Sequence, residues 1–315
     1  MHGLYDILPE LEFAENLLRA GLKLAAPLWL AALGESFAER SGVINIGLEG
    51  MMLVGAFAGM VVAYFAGSPW LGLLAGIAAG MLLAWLFAAL TVRLPADQII
   101  VGMAINLIAA GLTGFLYRGI FGVTGHALTV QAFLPIDWGW FGELPLIGRI
   151  ISGQPAPLYF ALLLIPAAAF VFNQTHLGLA IRAAGESPGA ADTAGLDVTR
   201  LRWWCVLVSG AFAGAAGAYL SLAHANTFIE GMTAGRGFIA LAIVIFGRRK
   251  PVWIFLAAMF FGTANALQFQ FQAIGTAVPY QLLLMLPYVL TLLVLLFVAD
   301  RTRAPGALGK FYSRE

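Results

Sequence analysis

The chain has 315 residues, of which 61% are hydrophobic and 10% charged, with a formal net charge of +1. An average soluble domain carries about 25% charged residues, so a water-soluble globular fold is excluded, and the balanced, scattered charge offers no footprint for nucleic acid. A spanning helix takes about 20 residues, so this composition furnishes about nine spans and leaves little over: residues 1–315 are expected to form a single transmembrane domain.

In chain order, Met1 to Glu15 carries Asp6, Glu10, Glu12 and Glu15 ahead of any apolar run. That is the reverse of a basic signal-peptide start, and the segment is expected to be retained. Apolar runs then predict an all-α, polytopic membrane protein with nine spans, within bounds of eight to ten: 17–34, 46–66, 70–92, 98–117, 157–172, 203–222, 237–247, 251–269 and 280–299. Pro166 and Pro287 fall inside spans and are expected to kink them. The seventh run is too short to cross about 30 Å at 1.5 Å per residue, which predicts a broken or re-entrant element unless the preceding loop adds helix. Gly55-Ala-Phe-Ala-Gly59 with Ala63-Tyr64 recurs as Gly210-Ala-Phe-Ala-Gly214 with Ala218-Tyr219. Parallel repeats of four spans, 46–172 and 203–299, behind one N-terminal helix would produce this echo; so would coincidence in a chain rich in alanine and glycine. Gly72, Gly76 and Gly80, spaced by four, suit close approach of helix backbones.

Lys and Arg beside spans are retained on the cytoplasmic side. Alternate loops collect Arg40, Arg93, Arg182, Arg200, Arg202, Arg248, Arg249, Lys250, Arg301, Arg303, Lys310 and Arg314, against Arg19, Lys23, Arg118, Arg149 and Arg236 on the other side. This asymmetry predicts a cytoplasmic C-terminus, an outer N-terminus, a cytoplasmic loop at 173–202 and an extracytoplasmic loop at 118–156. Trp138, Trp140 and Phe141 in the outer loop read as a headgroup belt or as a docking surface for an external protein.

Ionisable and amide groups within spans point to a pathway. A helix starting near Ser41 would carry Glu49 about 12 Å into the membrane, with Asn45 four residues earlier as a neighbour able to hydrogen-bond it. Gly42, Gly47 and Gly50 permit irregular backbone there. Glu49 reads equally as a path residue or as a carboxyl group bracing a neighbouring helix, and Asn106 reaches a similar depth. His2, His126, His176 and His224 lack a ligand spacing, so no metal site is expected. The single cysteine, Cys205, excludes an internal disulfide or a thiolate zinc cluster. Nothing matches a phosphate-binding Gly-x-x-x-x-Gly-Lys-Ser/Thr loop, so any ATP would be used by another chain, and no catalytic residue or bound cofactor is expected.

Between His176 and Arg202, Ser187 and Pro188 suit the start of a short helix and Gly195 its stop. Its face of Ala190, Ala191 and Ala194 is small enough to seat in a groove of a cytoplasmic partner, although a solvated linker would look similar. A proton-coupled secondary transporter using Glu49 is the rival reading. A membrane enzyme would need clustered carboxylates or histidines, which the sequence does not offer.

Three segments carry a resemblance: Gly34-Glu-Ser-Phe-Ala-Glu-Arg-Ser-Gly-Val-Ile-Asn-Ile-Gly-Leu-Glu-Gly-Met-Met52, Leu94-Pro-Ala-Asp-Gln-Ile-Ile-Val-Gly-Met-Ala-Ile-Asn106, and Arg182-Ala-Ala-Gly-Glu-Ser-Pro-Gly-Ala-Ala-Asp-Thr-Ala-Gly-Leu196. Together they resemble the binding-protein-dependent ABC importer permeases, more narrowly the branch for simple sugars and nucleosides, related to the ribose and branched-chain amino-acid permeases, and within it most closely the nucleoside permeases. The likeness runs over about residues 16–300. It implies a permease in the inner or plasma membrane that takes a nucleoside or simple sugar from an extracytoplasmic binding protein. It further implies a second, different permease subunit and a cytoplasmic ATPase that uses ATP and Mg. Arg182, Gly185, Glu186, Ala190, Ala191 and Gly195 would couple this chain to the ATPase, and the segment from Asn45 through Glu49 to Gly50 would flank the translocation path, which Asn106 would face by its depth.

Overall fold

The computed structural model describes residues 2–122, 128–139, 142, 144, 147–274, 285, 289, 292 and 304–313. Its helices are α1 (His2–Ser41), α2 (Leu48–Ala66), α3 (Pro69–Ala88, continued by a π-turn to Arg93), α4 (Gln98–Phe121), α5 (Ile147–Ile151), α6 (Ala156–Gln174), α7 (His176–Glu186), α8 (Pro188–Thr193), α9 (Val198–Tyr219, continued by a π-turn to His224), α10 (Arg236–Phe246) and α11 (Pro251–Ile274). Seven of these segments are long and apolar enough to span: 12–41, 48–66, 69–93, 98–121, 156–174, 198–224 and 251–272. The seventh expected span is the short apolar helix α10, and the ninth, 280–299, lies outside the described residues apart from 285, 289 and 292.

Helix starts follow local chemistry. Asp97 accepts the N–H groups of Ile99 and Ile100 at 2.8 and 3.0 Å and starts α4, while Asp197 accepts that of Arg200 at 2.9 Å and starts α9. Both satisfy donors that the first turn of a helix leaves open.

The first expected span ended at residue 34, where Glu35, Glu39 and Arg40 begin; α1 instead continues to Ser41. These charges do not end the helix because each finds a partner inside the bundle. Arg249 donates to Glu39 at 2.7 Å, Ser209 donates to Glu35 at 2.8 Å, and the Arg40 guanidinium lies 3.9 Å from the centre of the Phe172 ring. The expected cytoplasmic loop at 173–202 is likewise mostly helical, formed by α7, α8 and the start of α9.

α1 is the central post, packed on α9, α10 and α11. Its fully buried Trp29 donates from Nε1 to the carbonyl of Ala161 in α6 at 3.3 Å and meets Phe255 edge-on at 5.3 Å. Against it stands a second layer of α2, α3 and α9, joined through glycines. A Cβ at Gly55 would strike the backbone of Gly214, one at Gly214 the carbonyl of Gly76, and one at Gly80 the carbonyl of Gly210. The echoed Gly-Ala-Phe-Ala-Gly runs thus pack on each other, and the Gly72, Gly76, Gly80 stripe fits between them. The four-plus-four repeat itself ends in 280–299, outside the described residues.

Within 118–156, α4 takes the chain to Phe121, and α5 lies between the two short strands of an antiparallel pair in which Pro135 faces Pro155. Trp138 is half-exposed with its ring 5.5 Å from Tyr159. Trp140 and Phe141 lie outside the described residues.

Candidate functional site

Two interruptions of helix meet inside the bundle. The first follows Ser41, where Gly42 takes φ +97° and turns the chain away from the helix. Residues 43–47 then run back along α1 without regular structure until α2 begins at Leu48. Irregular backbone inside a membrane protein must have its polar groups satisfied by protein, and side chains do so here. Ile44 N–H donates to Gln98 Oε1 at 2.8 Å and Asn45 N–H to Glu35 Oε1 at 2.9 Å. Asn106 clamps the turn from both sides, donating to the carbonyl of Ile46 at 2.9 Å and accepting Gly50 N–H at 2.8 Å.

The second interruption follows the π-turn that ends α9. Residues 225–235 are non-helical, with Asn226 and Ala234 at φ 54° and 45°. α10 then starts inside the bundle, and Glu49 caps it: the carboxyl oxygens accept Gly235 N–H at 2.8 Å and Gly237 N–H at 2.6 Å. The 11 residues of α10 span about 16 Å, so Glu49 stands about that far from the end of the bundle at Gly247.

All three expected path residues therefore lie along one seam, but in corrected roles. Asn45 is not a helical neighbour of Glu49, because α2 starts three residues after it; its Nδ2 donates instead to Ser209 at 3.0 Å and to Met51 Sδ at 3.3 Å. Glu49 reaches its depth because the chain re-enters as an extended stretch, not because a helix starts at Ser41. The carboxyl group braces a neighbouring helix, the second of the two readings the sequence left open. Sequence reasoning missed Glu35, Gln98 and Ser209. It also missed a group of buried polar atoms that have no hydrogen-bond partner among the described residues: Asn45 Oδ1, Tyr219 OH, His224 Nδ1, Asn226 Oδ1 and Thr227 Oγ1. Beside the last two, the Phe228 ring sits 5.4 Å from Phe57 and 5.4 Å from Tyr117.

The six expected coupling residues lie at the end of the bundle where α1 stops. α7 and α8 meet at Ser187, Pro188 opens α8, and Gly195 takes φ +90° beyond it. Ala191 faces inward on Ala184 and Val198, so it does not belong to the outer face expected for it. Gly189, Ala190, Ala194 and Gly195 form that exposed small-residue surface, with Arg182 and Glu186 also exposed. Gly185 is buried, and a Cβ there would strike the Arg40 carbonyl.

A buried arginine ties this end together. Arg202 donates to the carbonyls of Ser41 at 2.9 Å, Ala184 at 3.3 Å and Lys310 at 2.9 Å, joining α1, α7 and the C-terminal segment. Around it Ala307 N–H donates to Gly185 at 2.9 Å, Gly309 N–H to Gly42 at 3.0 Å and Gly306 N–H to Glu186 Oε2 at 3.2 Å.

A bundle of spanning helices with two breaks meeting at depth and a small helix displayed at one end defines a polytopic membrane transport subunit. Residues 17–299 match the family model described as branched-chain amino acid transport system / permease component, and the chain belongs to that family. It is 39% identical over 97% of its length to TsgC13 of Haloferax volcanii, provisionally named a glucose ABC transporter permease protein, covering 99% of it. It is also 39% identical over 93% of its length to the guanosine ABC transporter permease protein NupQ of Bacillus subtilis, covering 95% of it. The same two organisms each hold a second matching permease, TsgB13 at 31% and NupP at 29% identity. A solved chain of a provisionally assigned metal-chelate type ABC transporter, in an inward-facing conformation, shares the fold: its TM-score is 0.50 at 16% identity, with 90% of this chain and 82% of that one covered. The chain is thus a non-catalytic permease subunit of the ABC transporter class, the ATPase being a separate chain.

Proposed function

We propose that this chain is one of two different permease subunits of an importer that carries a nucleoside, or failing that a simple sugar, from an extracytoplasmic binding protein across the inner membrane. A partner ATPase using ATP and Mg closes, moves the helix formed by residues 188–193, and so repacks the spans to alternate access. The observation that carries the reading is the exposed small-residue surface of α8, anchored by Ala191 below and adjoining α7, which Arg202 ties to α1 and the C-terminal segment. Arg182, Glu186, Ala190 and Gly195 present that surface, while Gly185 and Ala191 seat it.

Several findings support the finer parts. Arg40, Arg202, Arg249 and Lys310 gather at the same end as α8, as a cytoplasmic C-terminus requires. The paired permeases of the relatives favour two unlike subunits. The cargo passes beside the seam that Asn45, Glu49 and Asn106 brace. Further along α2 and α4, Asn226 Oδ1 and Thr227 Oγ1, without a hydrogen-bond partner among the described residues, lie next in the chain to Phe228, whose ring meets Phe57 and Tyr117, and such a group suits a polar, aromatic, uncharged solute.

The test is uptake of radiolabelled guanosine, uridine, ribose and glucose by proteoliposomes holding this chain, its partner permease, ATPase and binding protein. ATP-dependent accumulation of a nucleoside is the expected result. Accumulation of a sugar alone overturns the cargo, and accumulation by this chain with only a proton gradient overturns the class.

A further inference from the structure

Arg40, Arg182, Arg248, Arg249 and Lys250 line one cleft of about 240 Å³ at the end of the bundle that carries α8. Among the described residues Glu186 is the only carboxyl group in that lining, and its Oε2 already accepts Gly306 N–H at 3.2 Å. Two of the cations are committed inside: Arg249 to Glu39 at 2.7 Å, and Arg40 to the Arg249 carbonyl at 2.9 Å. The side chains of Arg248 and Lys250 are exposed and have no hydrogen bond or ion pair among the described residues. Arg248 and Arg249 are consecutive left-handed residues, with φ 49° and 58°. That turn buries the middle residue and leaves Arg248 and Lys250 facing out on either side of it.

The cleft does not open onto a polar surface alone. Val252 and Trp253, which follow Lys250 in the first turn of α11, are 54% and 58% exposed. Phe170 and Leu177, on either side of the lining residue Asn173 in the chain, are 62% and 52% exposed. In a spanning bundle such side chains contact acyl chains, and an exposed tryptophan beside cations marks the membrane boundary. A concentration of positive charge between helices at that boundary recognises anionic headgroups.

We infer that this cleft is a binding site for the phosphate of an anionic phospholipid, the acyl chains lying over Phe170, Leu177, Val252 and Trp253. An anion relieves repulsion among the five cations. It also links α1, α7 and the α10–α11 turn, so the lipid tightens the end of the bundle that carries the coupling surface. The inference needs only that the chain spans a membrane, and it stands or falls separately from the cargo and the ATPase.

The test uses the complete chain in nanodiscs of phosphatidylglycerol and phosphatidylcholine mixed equally, or of phosphatidylcholine alone. Retained lipid is read by native mass spectrometry and stability by thermal unfolding. Wild type is expected to retain phosphatidylglycerol and to unfold at a higher temperature in its presence. The double variant Arg248→Asn/Lys250→Gln is expected to retain roughly tenfold less, asparagine being chosen because it accepts the left-handed backbone. Arg93→Gln, which removes a cation stacked on Trp203 away from the cleft, is expected to retain it fully. Equal retention by the double variant overturns the site, and an equal loss in Arg93→Gln overturns its specificity. Stabilisation in phosphatidylcholine by millimolar inorganic phosphate alone would assign the cleft to a free anion. Loss of ATPase binding with unchanged lipid retention would assign it to an acidic segment of that protein.

Discussion

The Glu49 carboxyl group accepts the N–H of Gly237 at 2.6 Å, so the first turn of α2 caps the first turn of α10. That side chain thereby fixes where the chain resumes helix after the second interruption, as Asn106 clamps the first. A carboxyl group at a helix start is favoured by the open N–H groups and the positive end of the helix dipole.

Glu49→Gln keeps one acceptor and sets an NH2 donor against the other N–H, losing one of the two bonds, and Glu49→Ala leaves both N–H groups without partners inside the bundle. Expected losses are about 1 kcal/mol for the first and about 2–4 kcal/mol for the second, read by thermal unfolding of the assembled complex. Uptake in Glu49→Gln is expected to fall several-fold while remaining dependent on ATP. Dependence on a proton gradient instead would give Glu49 the proton-site role of the rival transporter.

Arg202→Met removes the donor that joins three carbonyls, whereas Arg202→Lys restores a charge without the planar fork. ATP hydrolysis is expected to persist in both while uptake per ATP falls, further in the methionine variant than in the lysine one. Measuring the two rates in the same proteoliposomes checks this. A proportional fall in hydrolysis and uptake would make Arg202 a residue of assembly only.

The glycine layer predicts a contrast within one membrane domain. Gly214→Ala places a methyl group against the Gly76 carbonyl and is expected to cost about 1–3 kcal/mol through forced separation of α3 and α9. Gly119→Ala, on α4 with nothing near its Cβ, is expected to be neutral or stabilising by up to about 1 kcal/mol. Unfolding temperatures in one detergent compare them.

On the short helix, neighbouring alanines should behave oppositely. Ala190→Trp lies on the exposed surface and is expected to leave folding unchanged while abolishing capture of the ATPase in a pull-down. Ala191→Trp cannot be held between Ala184 and Val198 and is expected to lower the yield of folded protein.

The positions of the long spans and the short α10 were legible because apolar runs and their polar breaks report membrane contact directly. The end of α1 was not, since Glu35, Glu39 and Arg40 look like a loop until Ser209, Arg249 and Phe172 are seen to receive them. These partners lie far away in the chain, where no local pattern can announce them. The seam was half legible. Asn45, Glu49 and Asn106 stood out as polar groups in apolar runs, but their work on the backbone of other segments depends on which turns lie opposite. Gln98 was hidden by its place at a helix start, Tyr219 by lying in an apolar helix run, and Asn226 and Thr227 by sitting among ordinary loop residues. The small helix after Ser187 was fully legible in its Pro and Gly limits, yet only its packing separates Ala190 from Ala191.

The bond from Gly309 to Gly42 closes the α8 end of the bundle with residues far apart in the chain. During synthesis at about 5–20 residues per second, Gly42 waits on the order of tens of seconds before its partner emerges. Spans inserted early therefore stand with that end unfinished until Ala307 and Gly309 have been made. A chain cut short before Ala307 is expected to insert its early spans yet leave the carbonyls of Gly42 and Gly185 without these partners, so the closing of that end waits on residues made long after the helices it joins.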